Sequence, residues 1–320
     1  FHAVTMTLEY YGRTSNAIIE QDIPQEYGKD QMSLNGGHIT NEGVEYTINL
    51  TPFKGKNFVW TIGLNSSKNW NKAKKADIKQ PYRGDYLDGR NNRILKEGYP
   101  LSAFWSYSFK GLNKETGYPE FNLMDQEGIY NVMDPADYLV YSGQKEPNFT
   151  GGLTTRVRYK GISFGASFSL LLGAKKRLST PFKGNDGINI PDPYTNLDKE
   201  LLKRWKKTGD EERTTIPAVY TGGEYVIKLP DTAKESMYEM WRQSDLRVVN
   251  ASFLRCRQLS LSWNIDREWV KRFGLTNLSL SAVANNIFVI CSKKFNGFDP
   301  EVDDNRVMPR TYSFGISIGL

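Results

Sequence analysis

The chain has 320 residues, 39% of them hydrophobic and 24% charged, with a formal net charge of +6 at pH 7. Its mean hydropathy is below zero and its apolar runs, such as 168–173, fall far short of the ~20 residues a spanning helix needs; that excludes a helical membrane protein but leaves a β-barrel, whose strands alternate lipid-facing and lumen-facing residues. Two cysteines exclude a disulfide framework and two histidines a histidine-rich metal site, and a surplus of six charges fits an anionic partner and a solvated barrel rim equally well.

Along the chain the recurring signal is apolar residues at every second position, which in a strand all point to one face. Phe1-His2-Ala3-Val4 reads as the middle of a strand rather than a leader, so residue 1 is expected to be a boundary set by a cut or by disorder. Val4, Met6, Leu8 and Tyr10 alternate with Thr5, Thr7 and Glu9. Val44, Tyr46, Ile48 and Leu50 alternate with Glu45, Thr47 and Asn49, and Phe58, Trp60, Ile62 and Leu64 with Thr61 and Gly63. Residues 101–110 are a weaker strand candidate. Leu153, Thr155, Val157 and Tyr159 face away from the basic set Arg156, Arg158 and Lys160. Ile162, Phe164, Ala166, Phe168, Leu170 and Leu172 then alternate with small residues, Ser163, Gly165, Ser167 and Ser169 among them.

Residues 173–250 read as one long loop segment. Within it, Leu197, Leu201 and Trp205 at i, i+4 and i+8 predict a short amphipathic helix with a basic opposite face. Thr232 and Glu235 read as a capping box opening a second helix, and 218–229 is another weak strand candidate. Beyond it, Leu278, Leu280, Ala282 and Ala284 alternate with Ser279 and Ser281. Asp299, Glu301, Asp303 and Asp304 gather carboxylates in a glycine-containing loop, a weak calcium candidate whose spacing is not that of an EF-hand. Cys256 and Cys291 fall on neighbouring strands, with a turn near 270 separating them by ~20–27 Å, so both are expected as free thiols. The last strand is the clearest: Tyr312, Phe314, Ile316, Ile318 and Leu320 on one face, with Thr311, Ser313, Gly315, Ser317 and Gly319 on the other.

These segments number eight to ten, run ~10 residues each and carry aromatics near their ends, whereas ordinary strands average about 5–6 residues. Connections alternate between short and very long. A transmembrane barrel accounts for all three features; the competing reading is a soluble carbohydrate-binding β-sandwich, whose strands also alternate. No G-x-S-x-G, H-E-x-x-H or phosphate-binding glycine loop is present, so no enzyme, cofactor or nucleic-acid partner is expected.

The C-terminal third carries a more specific signal. Residues Asn250, Ala251, Ser252, Phe253, Leu254, Arg255, Cys256, Arg257, Gln258 and Leu259 resemble the "ASFLRLRNLTLGY" strand of SusC/RagA-like TonB-dependent outer-membrane transporters. In family order follow Asn285-Asn286-Ile287-Phe288, similar to "GQNLF", Gly297-Phe298-Asp299-Pro300-Glu301-Val302, similar to "GLDPEV", and Pro309-Arg310-Thr311-Tyr312-Ser313-Phe314-Gly315, similar to "PRTYTFGL". Looser collinear matches precede them at Asn41–Glu45, Glu97–Leu101, Lys114–Gly117, Pro147–Gly152 and Arg204–Asp210, where Thr208 stands in place of the usual proline.

The resemblance implies that residues 1–320 form the C-terminal part of a 22-stranded antiparallel transmembrane β-barrel in the outer membrane of a Gram-negative bacterium, without the plug domain and the first strands. It implies TonB-dependent import of oligosaccharides or peptides, with a SusD-like surface lipoprotein as lid and the TonB complex acting through parts outside this chain. The alternative is a passive or adhesive barrel. Ser313, Gly315, Ile318 and Leu320 resemble the terminal signal read by barrel-assembly machinery, with Leu320 where the family usually has Phe or Trp. Arg156, Arg158 and Lys160 are expected to face the lumen, there to meet anionic substrate groups or, the working expectation, to pair with plug carboxylates.

Overall fold

The computed structural model describes residues 3–320 except 23, 25, 27, 29–30, 77–81, 90–94, 124–133, 183–193, 195, 221–224, 232 and 304–305. Eight antiparallel strands pair in chain order into one sheet: β1 (Ala3–Asp22), β2 (Gln31–Lys54), β3 (Phe58–Ala76), β4 (Phe149–Tyr159), β5 (Ile162–Leu172), β6 (Phe253–Asn264), β7 (Asn277–Cys291) and β8 (Thr311–Gly319). The sheet is open, with β1 and β8 at its edges.

Register turns the alternation into rows, because directly paired residues lie on the same face. Val4, Leu50, Ile62, Thr155, Ala166, Leu259, Ala284 and Tyr312 form one row across all eight strands. One residue along, Thr5, Asn49, Gly63, Thr154, Ser167, Gln258, Asn285 and Thr311 form a wholly polar or glycine row on the other face. The apolar rows stand open to the surroundings: Phe164 is 42% exposed, Ile318 58% and Phe314 84%. A soluble sandwich would bury them, so that reading fails.

The outer rows run from Phe58 to Ser66 along β3. Those eight steps are about 26 Å of strand, or roughly 20 Å across a bilayer at ~40° tilt, the scale of a ~25 Å apolar band. A row near the short turns, Phe58, Tyr159, Ile162, Trp263, Leu280 and Ile316, carries three aromatics at the level of an interfacial girdle. The connections at that edge are 55–57, 160–161 and 265–276; the other edge carries 23–30, 77–148, 173–252 and 292–310. In the tightest turn Lys160 takes a left-handed φ of 50°, and Gly161 leaves room for its neighbour, since a Cβ there would sit 2.2 Å from the Asn264 carbonyl oxygen.

Three expectations need correction. Strands β1 to β3 have 20, 24 and 19 residues, twice the expected length, because their ladders continue on the long-loop side as far as the Asp22–Gln31 and Gly37–Ala76 pairs. Neither weak strand candidate joins the wall. Ala103–Ser106 pairs with Val140–Gln144, and Val226–Lys228 with Lys234–Ser236; Ala103–Ser106 is buried at all four positions, so it has no exposed face to turn to lipid. Cys256 pairs with Phe288 and Cys291 with Phe253, a three-residue offset of about 10 Å rather than 20–27 Å. A register shift between Cys256 and Gln258 contributes to the difference, and both thiols are free.

The long loops fold together. The described residues of 82–144 and 174–247 share an aromatic core in which Tyr86, Trp105, Tyr107, Tyr138 and Met240 form one cluster and Phe182, Leu201, Tyr238 and Trp241 another. Helix 196–207 is corrected to a single 3-10 turn, Lys199–Lys203, capped by Asp198. It ends because the chain becomes extended at Arg204 while Asp210 binds the amides of Lys206 and Lys207. Thr232 lies outside the described residues. The second helix opens later, at Met237–Arg242, capped by Ser236, since Lys234–Ser236 is committed to a strand and Glu235 to Arg83.

Candidate functional site: a polar inner face under a loop cap

The polar rows make the concave candidate. Arg156 pairs across the ladder with Gly165, which faces Ser260, and Arg158 with Ser163, which faces Ser262; both arginines are exposed on this inner face. Lys160 is not part of it. Strand β4 ends at Tyr159, and Lys160 sits in the turn with its Nζ 5.5 Å from the Tyr159 ring. Toward the long-loop edge, Glu45, Thr47, Asn65, Ser67, Thr150 and Ser169 line a hollow of about 420 Å³. Its floor is glycine because Gly152 lies against Asn65, whose Oδ1 would be 2.2 Å from an added Cβ.

Where wall meets cap, a second cavity of about 440 Å³ is lined by Lys145, Lys175, Lys176 and Arg177 together with Asp88, Glu301 and Asp303. Arg177 ties the two layers: it donates to the carbonyls of Leu87 (2.8 Å) and Trp105 (2.9 Å) and to Ser106 Oγ (2.9 Å). Burial pushes its pKa down to about 10, so it stays a cation at neutral pH.

The acidic loop is held by cations of the chain itself. Arg255 donates to Asp299 at 2.5 Å and to Glu301 at 2.7 Å, and Arg257 donates to Glu301 at 2.8 Å and to Ser169 at 2.8 Å. Lys176 pairs with Asp303 at 2.8 Å and donates to the carbonyls of Pro300 and Val302. Asp304 lies outside the described residues. The carboxylates of Asp299, Glu301 and Asp303 thus point to separate guanidinium and ammonium groups instead of converging, and among the described residues no group of three could hold a metal ion. Burial by itself would raise the Asp299 pKa, but Arg255 and the Glu301 and Met308 amides hold it below the usual carboxylate range. Lys176 likewise lowers that of Asp303. This clamp was missed in the sequence, where its trace is two arginines spaced by one residue and, 44 residues on, two acids spaced by a proline.

Ser313, Gly315 and Ile318 lie on β8 opposite Val283, Ser281 and Leu278. Leu320 follows the strand, 93% exposed.

No protein-family model matches the chain. TonB-dependent receptor SusC of Bacteroides thetaiotaomicron is 26% identical over 336 residues, which cover 97% of this chain and 29% of that protein. TonB-dependent receptor P3 of Formosa agariphila is 23% identical over 337 residues, 98% of this chain and 30% of that protein. The RagAB peptide importer in its open-open state superposes with a TM-score of 0.69 at 20% identity, over 99% of this chain and 33% of that one. The chain is SusC/RagA-like. It spans about a third of the length of these relatives, and its sheet is a wall segment of an outer-membrane β-barrel. The SusC/RagA-like motifs at 251–259 and 297–302 now have a physical link, since the arginines of the first bind the acids of the second.

Proposed function

We propose that the full protein imports oligosaccharides or peptides across the outer membrane by a TonB-dependent route. The eight strands supply part of the lipid-facing wall and of a polar lumen. The folded loops form part of the mouth, on which a SusD-like surface lipoprotein seats as a lid. The two free edges need the remaining strands, from the same protein or a second chain, because unpaired backbone cannot face lipid. Arg156 and Arg158 pair with carboxylates of the plug, and the final strand carries the assembly signal.

The observation that supports this reading most directly is the pair of adjacent rows, apolar outward and polar inward, on a chain matched almost end to end by TonB-dependent receptors. Its test is uptake. Cells expressing the full-length gene take up a labelled oligosaccharide or peptide library, and loss of TonB or of the neighbouring lipoprotein abolishes it. Uptake unchanged without TonB instead supports a passive barrel. Replacing Arg156 and Arg158 by glutamate is expected to reduce uptake without reducing the amount of barrel in the membrane.

A further inference from the structure

The outer face of β3 departs from its apolar pattern at one place. Leu64 is followed on that face by Ser66, Lys68, Trp70 and Lys72, whose ladder partners on β2 are Tyr46, Val44, Glu42 and Thr40. On the β4 side, Ser66 pairs with Gly151. These two small residues, adjacent in one row, leave a hollow of about 410 Å³ in the wall, lined by Tyr46, Leu64, Leu153, Phe168, Leu170 and Leu254. Its surface is almost wholly carbon. The Ser66 hydroxyl is buried and makes no hydrogen bond to a described residue.

One row on, β3 places a cation between two apolar neighbours, Lys68 standing between Val44 and Phe149. Lys68 is half-buried with its Nζ 5.9 Å from the Trp70 ring, Trp70 is 50% exposed, and Lys72 is exposed. Neither lysine has an ion pair with a described residue; Glu42, beside Trp70, is the one acid within this stretch of the face. The depth fits the change. Ser66 lies eight residues from the girdle row, about 26 Å of strand, so Lys68, Trp70 and Lys72 stand where the hydrocarbon ends on the long-loop side, which in such barrels faces outward. A tryptophan and cations at that level meet lipid headgroups.

We infer that this part of the wall is a binding site for a phosphorylated acyl lipid of the outer leaflet: one acyl chain fills the hollow over Ser66 and Gly151, and the phosphate rests on Lys68 and Lys72 with Trp70 in the headgroup plane. The hollow admits a chain because Gly151 has ordinary clearance around it, the nearest atoms to an added Cβ being 3.4 Å away. The cations select the phosphate, each lysine near an anionic headgroup being worth roughly fivefold in binding. The assignment uses the lipid-facing surface only and is independent of cargo and of TonB.

The test uses the full-length protein in detergent, titrated with hexa-acylated lipid A and with the same lipid after enzymatic removal of its phosphates, bound lipid being counted by native mass spectrometry. Wild-type protein is expected to hold lipid A at least about tenfold more tightly than its dephosphorylated form. Lys68→Gln with Lys72→Gln should abolish that preference, and Ser66→Leu, which fills the hollow, should weaken both lipids alike. Lys56→Gln with Lys160→Gln, at the opposite rim, should change neither. Equal affinity of wild-type protein for the two lipids overturns the inference on its own, even if a variant fails to fold. Unchanged binding by the folded lysine pair or by folded Ser66→Leu also overturns it.

Discussion

Arg255 on β6 and Asp299 in the loop between β7 and β8 meet Nη2 to Oδ1 at 2.5 Å, with their side chains only 2% and 4% exposed. Asp299 Oδ1 also accepts the Glu301 amide, so this pair, beside those of Arg255 and Arg257 with Glu301 and of Lys176 with Asp303, helps pin the 292–310 loop onto the wall. Removing one partner leaves a buried charge without its counter-ion, at a cost of roughly 3–5 kcal/mol, whereas removing both costs far less. Arg255→Met alone should therefore lower the melting temperature of the detergent-solubilised full-length protein sharply, and Arg255→Met with Asp299→Leu should recover most of the loss. A double variant as unstable as the single one would contradict the clamp.

The same pair sets a pH window. Asp299 is held below the ordinary carboxylate value of about 3.9, so the stability it adds is complete above that value and disappears only as pH falls through the lowered one. Asp303, held down by Lys176, acts in the same direction. Hydrogen exchange in 298–303 should be insensitive to pH from about 5 to 8 after correction for intrinsic rates, with protection lost only below about 4. Loss of protection between about 5 and 7 would assign the loop's anchoring to other groups.

Gln258 and Leu259 are neighbours in sequence on opposite faces of the wall. Leu259 sits in the middle outer row, so Leu259→Arg should destabilise the barrel in lipid vesicles by about 2–4 kcal/mol. Gln258→Arg, one residue away on the polar face, should cost less than about 1 kcal/mol. Equilibrium unfolding in denaturant compares them directly, and equal costs would mean that the faces are misassigned.

On β8, Gly315 lies against Ser281, whose Oγ would be 2.6 Å from an added Cβ. That hydroxyl can rotate away from a methyl group, whereas aspartate adds a charge to the strand proposed to carry the assembly signal. Gly315→Ala should thus reach the outer membrane nearly as well as the native chain, Gly315→Asp should be depleted there, and Leu320→Phe should raise the assembled fraction. Membrane fractionation with heat-modifiable gel mobility reads all three, and normal assembly of Gly315→Asp would remove the final strand's signalling role.

What could be read from the residues was what local periodicity controls. The two-residue period placed Phe164, Ala282 and Phe314 on the apolar faces of their own strands before any register was known, and the register then put them in a single row. The same logic failed for 101–110 and 218–229, because apolar content without an exposed alternate face marks a buried core as readily as a wall. It also misplaced Lys160: alternation runs on arithmetically past Tyr159, whereas the chain there turns at a φ of 50°.

Periodicity and strand length by themselves pointed to a barrel wall with greasy positions turned to lipid, and the resemblance carried by the collinear motifs implied the outer membrane, since both signals are written along the chain at short range. Only the tertiary structure decided that the loops share a core, that Asp299 and Glu301 pair with Arg255 and Arg257, and that Ser66 and Gly151 open a hollow beneath Lys68. Each of those depends on residues tens of positions apart, brought together by ladder register and loop packing, and no local pattern encodes which distant partner a side chain will meet.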